Sequence, residues 1–308
     1  LPFFGALLML VIPRDQLNAA HWLVRGVALV GLGLAIYLFL AYDFETAGYQ
    51  FVAEYPWVSS IGISFHIGID GITAPMVLLN GIVFFAGVLM SWNVKHRPRE
   101  FFLWLMLLVS GVYGVFASLD LFFLFFFYEL AVVPMYLLIG VWGSSSDFGS
   151  FSRTKEYGAL KLMLYLVAGS ILVWVAIMAL WVEGGQTLGL MYLEEARFSK
   201  EFQVLFFPMF AIGFGILAGL WPFHTWSPDG HVAAPTAVSM LHAGVLMKLG
   251  AYGLLRVGIV LLPEGATFWA PALIGLASVN VMYGAVSAMA QRDLKYVVGY
   301  SSVSHMGI

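Results

Sequence analysis

The chain is a succession of apolar runs of about 20 residues, the length at which an α-helix crosses a hydrocarbon core about 30 Å thick. They cover residues up to 12, then 22–42, 72–92, 101–118, 120–142, 157–182, 203–222, 233–260 and 268–290, with a last run opening near 294. Inside a bilayer each backbone N–H and C=O must be satisfied within the protein, so runs of this length fold as helices. The expected class is an all-α polytopic membrane protein: one transmembrane domain over 1–308, about ten spans, the last incomplete. Composition agrees, since 61% of residues are hydrophobic and only 10% charged, unlike any soluble domain. A net charge of −3 gives no footing for a nucleic-acid partner. With no cysteine, disulfides, thiolate chemistry, iron–sulfur ligation and Cys-based zinc sites are excluded. No redox centre is therefore expected in this chain. Leu1 and Ile308 both fall inside apolar runs, which suggests a fragment whose opening run is the remnant of a first helix.

Basic residues set the expected orientation. One set of loops holds Arg14, then Lys95, Arg97 and Arg99, then Arg153 and Lys155, then Arg292 and Lys295. The alternate set holds Arg197 and Lys200, diluted by Glu183, Glu194, Glu195 and Glu201, and a loop with Asp43, Glu45 and Glu54 but no base. The basic set is expected to face the cytoplasm and the N-terminus the outside. Two longer loops, 43–64 and 183–203, are amphipathic and expected to lie at the interface or pair as a hairpin.

Three protonatable side chains break the apolar pattern. Glu129 interrupts the run 121–135, Lys248 the run 246–256, and His305 the final run. A charge at membrane depth costs on the order of 2.5–3.5 kcal/mol even on lenient insertion scales, which makes an ion or proton pathway the default reading. Glu129 lies ten residues after Leu119, Lys248 twelve after Thr236 and His305 eleven after Leu294. At about 1.5 Å per residue, all three come to roughly 15–18 Å from one surface. A shared depth suggests a polar axis parallel to the membrane. Lys161, only a few residues inside its span, either joins this axis or snorkels to the surface. His305 could also serve as a simple interhelical hydrogen-bonding group.

Helix breakers stand close by. Pro134 follows Glu129 by five residues and deprives the Leu130 carbonyl of its helical partner. The seventh run holds Gly213, Gly215, Gly219 and Pro222, and Ala234 and Pro235 precede the eighth. Broken membrane helices are tolerated where they are buried in protein or line a wet cavity. His224, Asp229 and His231 fall at the mouth of this break. Two histidines and a carboxylate could hold a metal, but capping and gating of a broken helix is the reading adopted.

Four ordered blocks carry a resemblance. They are Phe-Phe-Phe-Tyr-Glu (125–129) running on to Pro134 and Met135, Trp-Pro-Phe-His-Thr-Trp-Ser-Pro-Asp-Gly-His (221–231) running on to Thr236, Leu-Met-Lys-Leu-Gly-Ala-Tyr-Gly-Leu-Leu-Arg (246–256), and 293–307. Together with His-Ile-Gly-Ile-Asp-Gly-Ile (66–72), they closely resemble subunit M of proton-pumping NADH:quinone oxidoreductase, an antiporter-like membrane subunit of respiratory complex I. The resemblance implies inverted five-helix repeats with broken helices, residues 101–260 forming the first repeat and the chain stopping after the start of the second. It implies L-type and N-type antiporter-like neighbours, and NADH, FMN, iron–sulfur clusters and quinone in partner subunits. It also implies a bacterial inner membrane.

One position departs from that pattern. In the family the glutamate matching Glu129 pairs with a lysine on the broken seventh helix, and here Leu217 takes its place. The nearest replacement base is His242, six residues before Lys248 and about 120° out of register with it on an ideal helix. The resulting expectation is a proton-translocating subunit using Glu129, Lys248, His305, His242 and Lys161. A cation/proton antiporter or membrane-bound hydrogenase subunit of the same superfamily is the nearest alternative, and a non-pumping structural subunit another.

Overall fold

The computed structural model describes residues 1–13, 16–147 and 152–308; Arg14 lies outside the described residues. Helices dominate: α1 (Pro2–Val11), α2 (Leu17–Ala41), α3 (Thr73–Met90), α4 (Pro98–Ala117), α5 (Leu121–Trp142), α6 (Lys155–Glu183), α7 (Leu190–Glu195), α8 (Lys200–Ala218), α9 (Trp226–Ala233), α10 (Thr236–Leu241), α11 (Met247–Gly253), α12 (Pro263–Met289) and α13 (Leu294–Met306). Two wider π-helical turns, His242–Leu246 and Leu254–Ile259, flank α11, making Thr236–Ile259 one interrupted span of 24 residues. Among the described residues eight helices are long and apolar enough to cross a membrane. The chain is thus an all-α polytopic membrane protein.

Local sequence explains where the helices begin. Thr154 Oγ1 accepts from Tyr157 N at 3.1 Å, Ser199 Oγ from Phe202 N at 3.3 Å and Asp293 Oδ1 from Lys295 N at 2.8 Å, side-chain caps for donors the first turn leaves orphaned. α4 and α12 open instead on Pro98 and Pro263, where the missing N–H costs nothing. Lateral packing relies on small residues, because apolar burial gives helices in lipid little reason to associate. Gly111 of α4 shows this. A Cβ there would stand 2.7 Å from the Ala131 nitrogen and the Phe127 oxygen of α5.

Loop 43–64 pairs as a hairpin, one of the two forms expected of it. β1 (Gln50–Val58) runs antiparallel to β2 (Ile63–Ile69). Loop 183–203 holds the short α7 and is stitched to the same side: Leu188 N donates to the Gly62 oxygen, and Leu121 N to the Leu188 oxygen. Arg256 fastens this side to the interrupted span. It forms an ion pair with Asp70 and donates to the Tyr49 hydroxyl at 3.0 Å, which itself donates to Glu194 at 2.7 Å. At the opposite side, Trp142 Nε1 donates to the His96 oxygen and Ser144 N to the Ala233 oxygen.

Asp120 joins hairpin to bundle. One carboxylate oxygen accepts from Phe122 N at 2.9 Å and Phe123 N at 3.2 Å, capping α5; the other accepts from Ser64 N at 3.1 Å. It is 1% exposed, and burial pushes its carboxyl pKa up against the pull of these three N–H donors. Removing it takes away a helix cap worth about 1 kcal/mol and strands the Ser64 donor, a further 1–3 kcal/mol or so. We expect Asp120→Ala to lower the detergent-solubilised unfolding temperature clearly, and Asp120→Asn, which keeps one accepting oxygen, to lower it less. Equal unfolding temperatures for Asp120→Ala and wild type would contradict this role.

Candidate functional site

The seventh run folds as two helices with a break. α8 ends at Gly219, whose φ of +79° takes the chain into the left-handed region that glycine enters without strain. Residues 220–225 turn, with Pro222 among them, before α9 begins. The break is satisfied by side chains from elsewhere. Asn280 of α12, fully buried, accepts from Trp221 N at 2.9 Å and donates to the Val303 oxygen of α13 at 2.8 Å. Trp226 Nε1 donates to the Ile216 oxygen at 2.9 Å, closing the end of α8. A second interruption follows at Ala234 and Pro235, after which α10 starts with Ser239 N donating to the Pro235 oxygen at 2.8 Å. Pro134, by contrast, is carried inside a continuous α5.

The break delivers Asp229 into a knot of charge. Lys161 Nζ of α6 stands 2.8 Å from one carboxylate oxygen. Arg153, just before α6, pairs with the other oxygen, to which the Tyr296 hydroxyl of α13 also donates at 3.1 Å. The Asp229 side chain is 4% exposed and Arg153 39%, so the knot runs from the interior to the side opposite the hairpin. A small pocket lined by Ser144, Thr154, Tyr157, Asp229 and Tyr296 reaches it. Lys161 is thus paired with a carboxylate on α9 rather than snorkelling alone.

Two residues on, α9 presents His231 to the interrupted span. Its ring stacks on that of His242 at 3.9 Å between centroids and 13° between planes, and His242 stacks on its other side against Trp226 at 5.1 Å and 17°. His231 Nδ1 hydrogen-bonds the Ser239 hydroxyl at 3.2 Å. Its Nε2 and both nitrogens of His242 have no protein partner. The exposures are 1% and 0%. Two imidazolium charges about 4 Å apart repel by about 4 kcal/mol at an effective dielectric of 20, so the two rings do not carry a positive charge each at the same time.

The register problem between His242 and Lys248 is met by distortion. His242 opens the first π-helical turn, where Met247 N donates to the His242 oxygen; such bulges interrupt the normal ladder and recur at functional sites. Lys248 Nζ folds back along the helix to the Ala243 oxygen, following the N-terminal lean of helical side chains. Its ammonium is thereby brought within electrostatic range of both rings.

Glu129 is placed apart from this group. It projects from α5 towards α6, where the Ser170 hydroxyl meets its carboxyl. Its Oε1 has no partner, and among the described residues no cation forms an ion pair with it. His242, expected beside Glu129, has its ring contacts with His231 and Trp226 instead. Leu217 sits at 1% exposure in the apolar core. His224 is buried, with its ring edge-on to Tyr283 at 4.8 Å. Among the described residues His224, Asp229 and His231 do not form a metal-holding group, since each turns to a different partner. His305 is exposed on α13, its Nδ1 hydrogen-bonded to the Ser301 oxygen at 2.7 Å, and is not brought to Lys248. Sequence reasoning missed Arg153 and Tyr296 as partners of Asp229, and Asn280 altogether. An asparagine in the run 268–290 was the available signal for the last.

Comparison with known proteins agrees with this architecture. Residues 118–308 match the family described as NADH:quinone oxidoreductase/Mrp antiporter, transmembrane. The chain is 37% identical over 309 residues to NAD(P)H-quinone oxidoreductase chain 4 2 of Thermosynechococcus vestitus, covering 100% of this chain and 56% of that protein. It is 37% identical over 310 residues to the protein of the same name from Microcystis aeruginosa, covering 100% and 55%. The chain therefore spans about half the length of the curated relatives it matches. A chain in the structure of respiratory complex I from Thermus thermophilus with bound NADH superposes with a TM-score of 0.86 at 29% identity, over 99% of this chain and 61% of that one. The Mrp complex from Dietzia sp. shares the fold, with a TM-score of 0.78 at 24% identity over 99% and 32%. With the matched family covering both the broken helix and the ionisable groups that it positions, the chain belongs to the NADH:quinone oxidoreductase/Mrp antiporter transmembrane family.

Proposed function

We propose that the chain is part of a proton-translocating, antiporter-like subunit of the M type in a respiratory quinone oxidoreductase of a bacterial inner membrane. The observation that carries this reading is the file of ionisable side chains through the broken span: Asp229 with Lys161 and Arg153, then His231 and His242, then Lys248. Charges held inside a membrane protein at such cost mark ion paths. Glu129 is the remaining intramembrane carboxylate, with one oxygen left without a protein partner.

The subunit supplies positions for protons and no redox chemistry. NADH, FMN, iron–sulfur clusters and quinone belong to partner subunits in this reading, and L-type and N-type antiporter-like subunits are its neighbours. A change of charge at one group shifts the proton occupancy of the next, since an opposite charge favours the ionised form and a like charge disfavours it. That coupling carries energy between subunits without a moving electron. The basic side, with Lys95, Arg97, Arg99, Arg153, Lys155, Arg292 and Lys295, faces the cytoplasm on the Lys/Arg rule, with the N-terminus of the chain on the other side. Leu217 in the core favours a second reading, a structural subunit that no longer pumps.

The two readings separate on Glu129→Gln in the full-length protein. With a relay, the complex assembles at native size and keeps its NADH oxidation rate in uncoupled membranes. Proton uptake per NADH in inverted vesicles falls at least several-fold. Lys248→Met, which keeps a long apolar stem but holds no proton, gives the same split. Wild-type uptake per NADH in both variants would support the structural subunit and remove the relay.

A further inference from the structure

Away from the broken span, α2 carries a cation on an exposed edge of the bundle. Arg25 lies eight residues into that helix, about 12 Å from its start at 1.5 Å per residue. Helical side chains lean back towards the N-terminus, which carries the guanidinium to the level of Trp92, two residues past the end of α3. It stacks 3.4 Å from the centroid of the Trp92 indole ring and 5.3 Å from that of Trp22. Both tryptophans are exposed, as rings at the membrane–water boundary are. His21, one turn before Arg25, sets its ring 6.2 Å from Trp92 and 5.1 Å from Phe102 of α4, and its Nδ1 has no protein partner. Among the described residues no carboxylate pairs with Arg25, and no protein acceptor meets its N–H groups.

The surroundings fit one kind of anion. A guanidinium stacked by its face on an indole keeps its in-plane N–H donors free, and their fork matches two oxygens of a phosphate. The loop after α3 brings Lys95, Arg97 and Arg99 with no acidic residue among them, and Glu100, the first acid beyond it, is taken by Arg97. The local balance is therefore positive. Beyond Arg25, α2 turns an apolar stripe outward. Leu29 and Val30 are exposed, and a Cβ on Gly26 or Gly33 would meet nothing within 4 Å. We propose that Arg25, held by Trp22 and Trp92, binds the phosphate of an anionic phospholipid whose acyl chain lies along α2 past Gly26 and Gly33. Basic pockets between membrane helices recognise headgroups of this type. A protein carboxylate would match the charge of Arg25 but not the apolar track that leads away from it. The site shares no residue with the ionisable groups of the broken span, so it stands whether or not the subunit moves protons.

The test uses the full-length protein in its assembled, detergent-purified complex and a phosphatidylglycerol with a photoreactive diazirine on its acyl chain. Cross-links are mapped onto this chain by mass spectrometry. Wild type is expected to label within residues 22–33, and unlabelled phosphatidylglycerol to suppress that label. Phosphatidylcholine at the same concentration, or inorganic phosphate, is expected to leave most of it. Arg25→Gln is expected to lower the label about tenfold, the scale of losing hydrogen bonds to a charged group. Arg25→Lys should fall between the two, since an ammonium keeps the charge without the fork. Trp92→Leu keeps the cation but removes the stack, and is also expected to lower the label. Should Arg25→Gln fail to assemble, the other two variants and the competition on wild type decide. An unchanged label in the variants that assemble overturns the proposal, as does equal suppression by phosphatidylcholine or by inorganic phosphate. Wild type without label in 22–33 also overturns it, the result expected if a neighbouring subunit's carboxylate pairs with Arg25.

Discussion

Asp229 holds the polar interior of this bundle together. Its carboxylate receives Lys161 from α6, Arg153 from the loop before α6 and Tyr296 from α13, so three separate parts of the chain meet on one residue of a short helix. Removing one member of a buried ion pair typically costs about 3–5 kcal/mol, because the partner charge is left uncompensated. Eight residues are far fewer than a helix needs to be stable alone, so α9 depends on such ties, with Trp226 bonded to the Ile216 oxygen and His231 to Ser239 beside the ion cluster. The ion cluster helps fix α9 in place, and with it the position of His231 two residues on.

The bilayer also dictates how the chain can deviate from helix. A break inside a membrane exposes N–H and C=O groups to a medium that cannot pair with them, so each freed group has to find a partner in the protein. Asn280 fills this part for the loop after α8, bonding the Trp221 nitrogen with its carbonyl and α13 with its amide. Wherever regularity is lost, an ionisable or polar side chain takes advantage of it. The 220–225 break leads into Asp229 and His231, the first π-helical turn carries His242 and receives Lys248, and the second carries Arg256 to Asp70.

Much of this was legible in the sequence because it obeys length and period. Apolar runs of about 20 residues announce helices in a membrane, and glycine and proline at 219, 222 and 235 announce where the seventh and eighth runs give way. The ionisable residues could be named individually, since each is an anomaly in an apolar run. Their partners could not. Lys161 and Asp229 lie 68 residues apart in the chain and meet only because α6 packs on α9. His231 and His242 meet because the chain doubles through Pro235. Counting residues at 100° each puts His242 and Lys248 on different faces, and a lysine stem folded back over a distorted turn carries the ammonium to the carbonyl of Ala243, the residue after His242. Depth arithmetic likewise put His305 level with Glu129 and Lys248, yet gave no azimuth; its ring bonds the Ser301 oxygen one turn back on its own helix.

The central claim is that the buried ionisable groups form a hydrated conduit rather than a set of structural ties. A high-resolution cryo-EM map of the full-length protein within its complex addresses this most directly, because proton transfer between groups that do not touch needs water between them. The account predicts ordered waters within hydrogen-bonding distance of the free nitrogens of His231 and His242, continuing to the Asp229 cluster on one side and Lys248 on the other. Apolar side chains packed against those nitrogens, with no water density between Asp229 and Lys248, would contradict it.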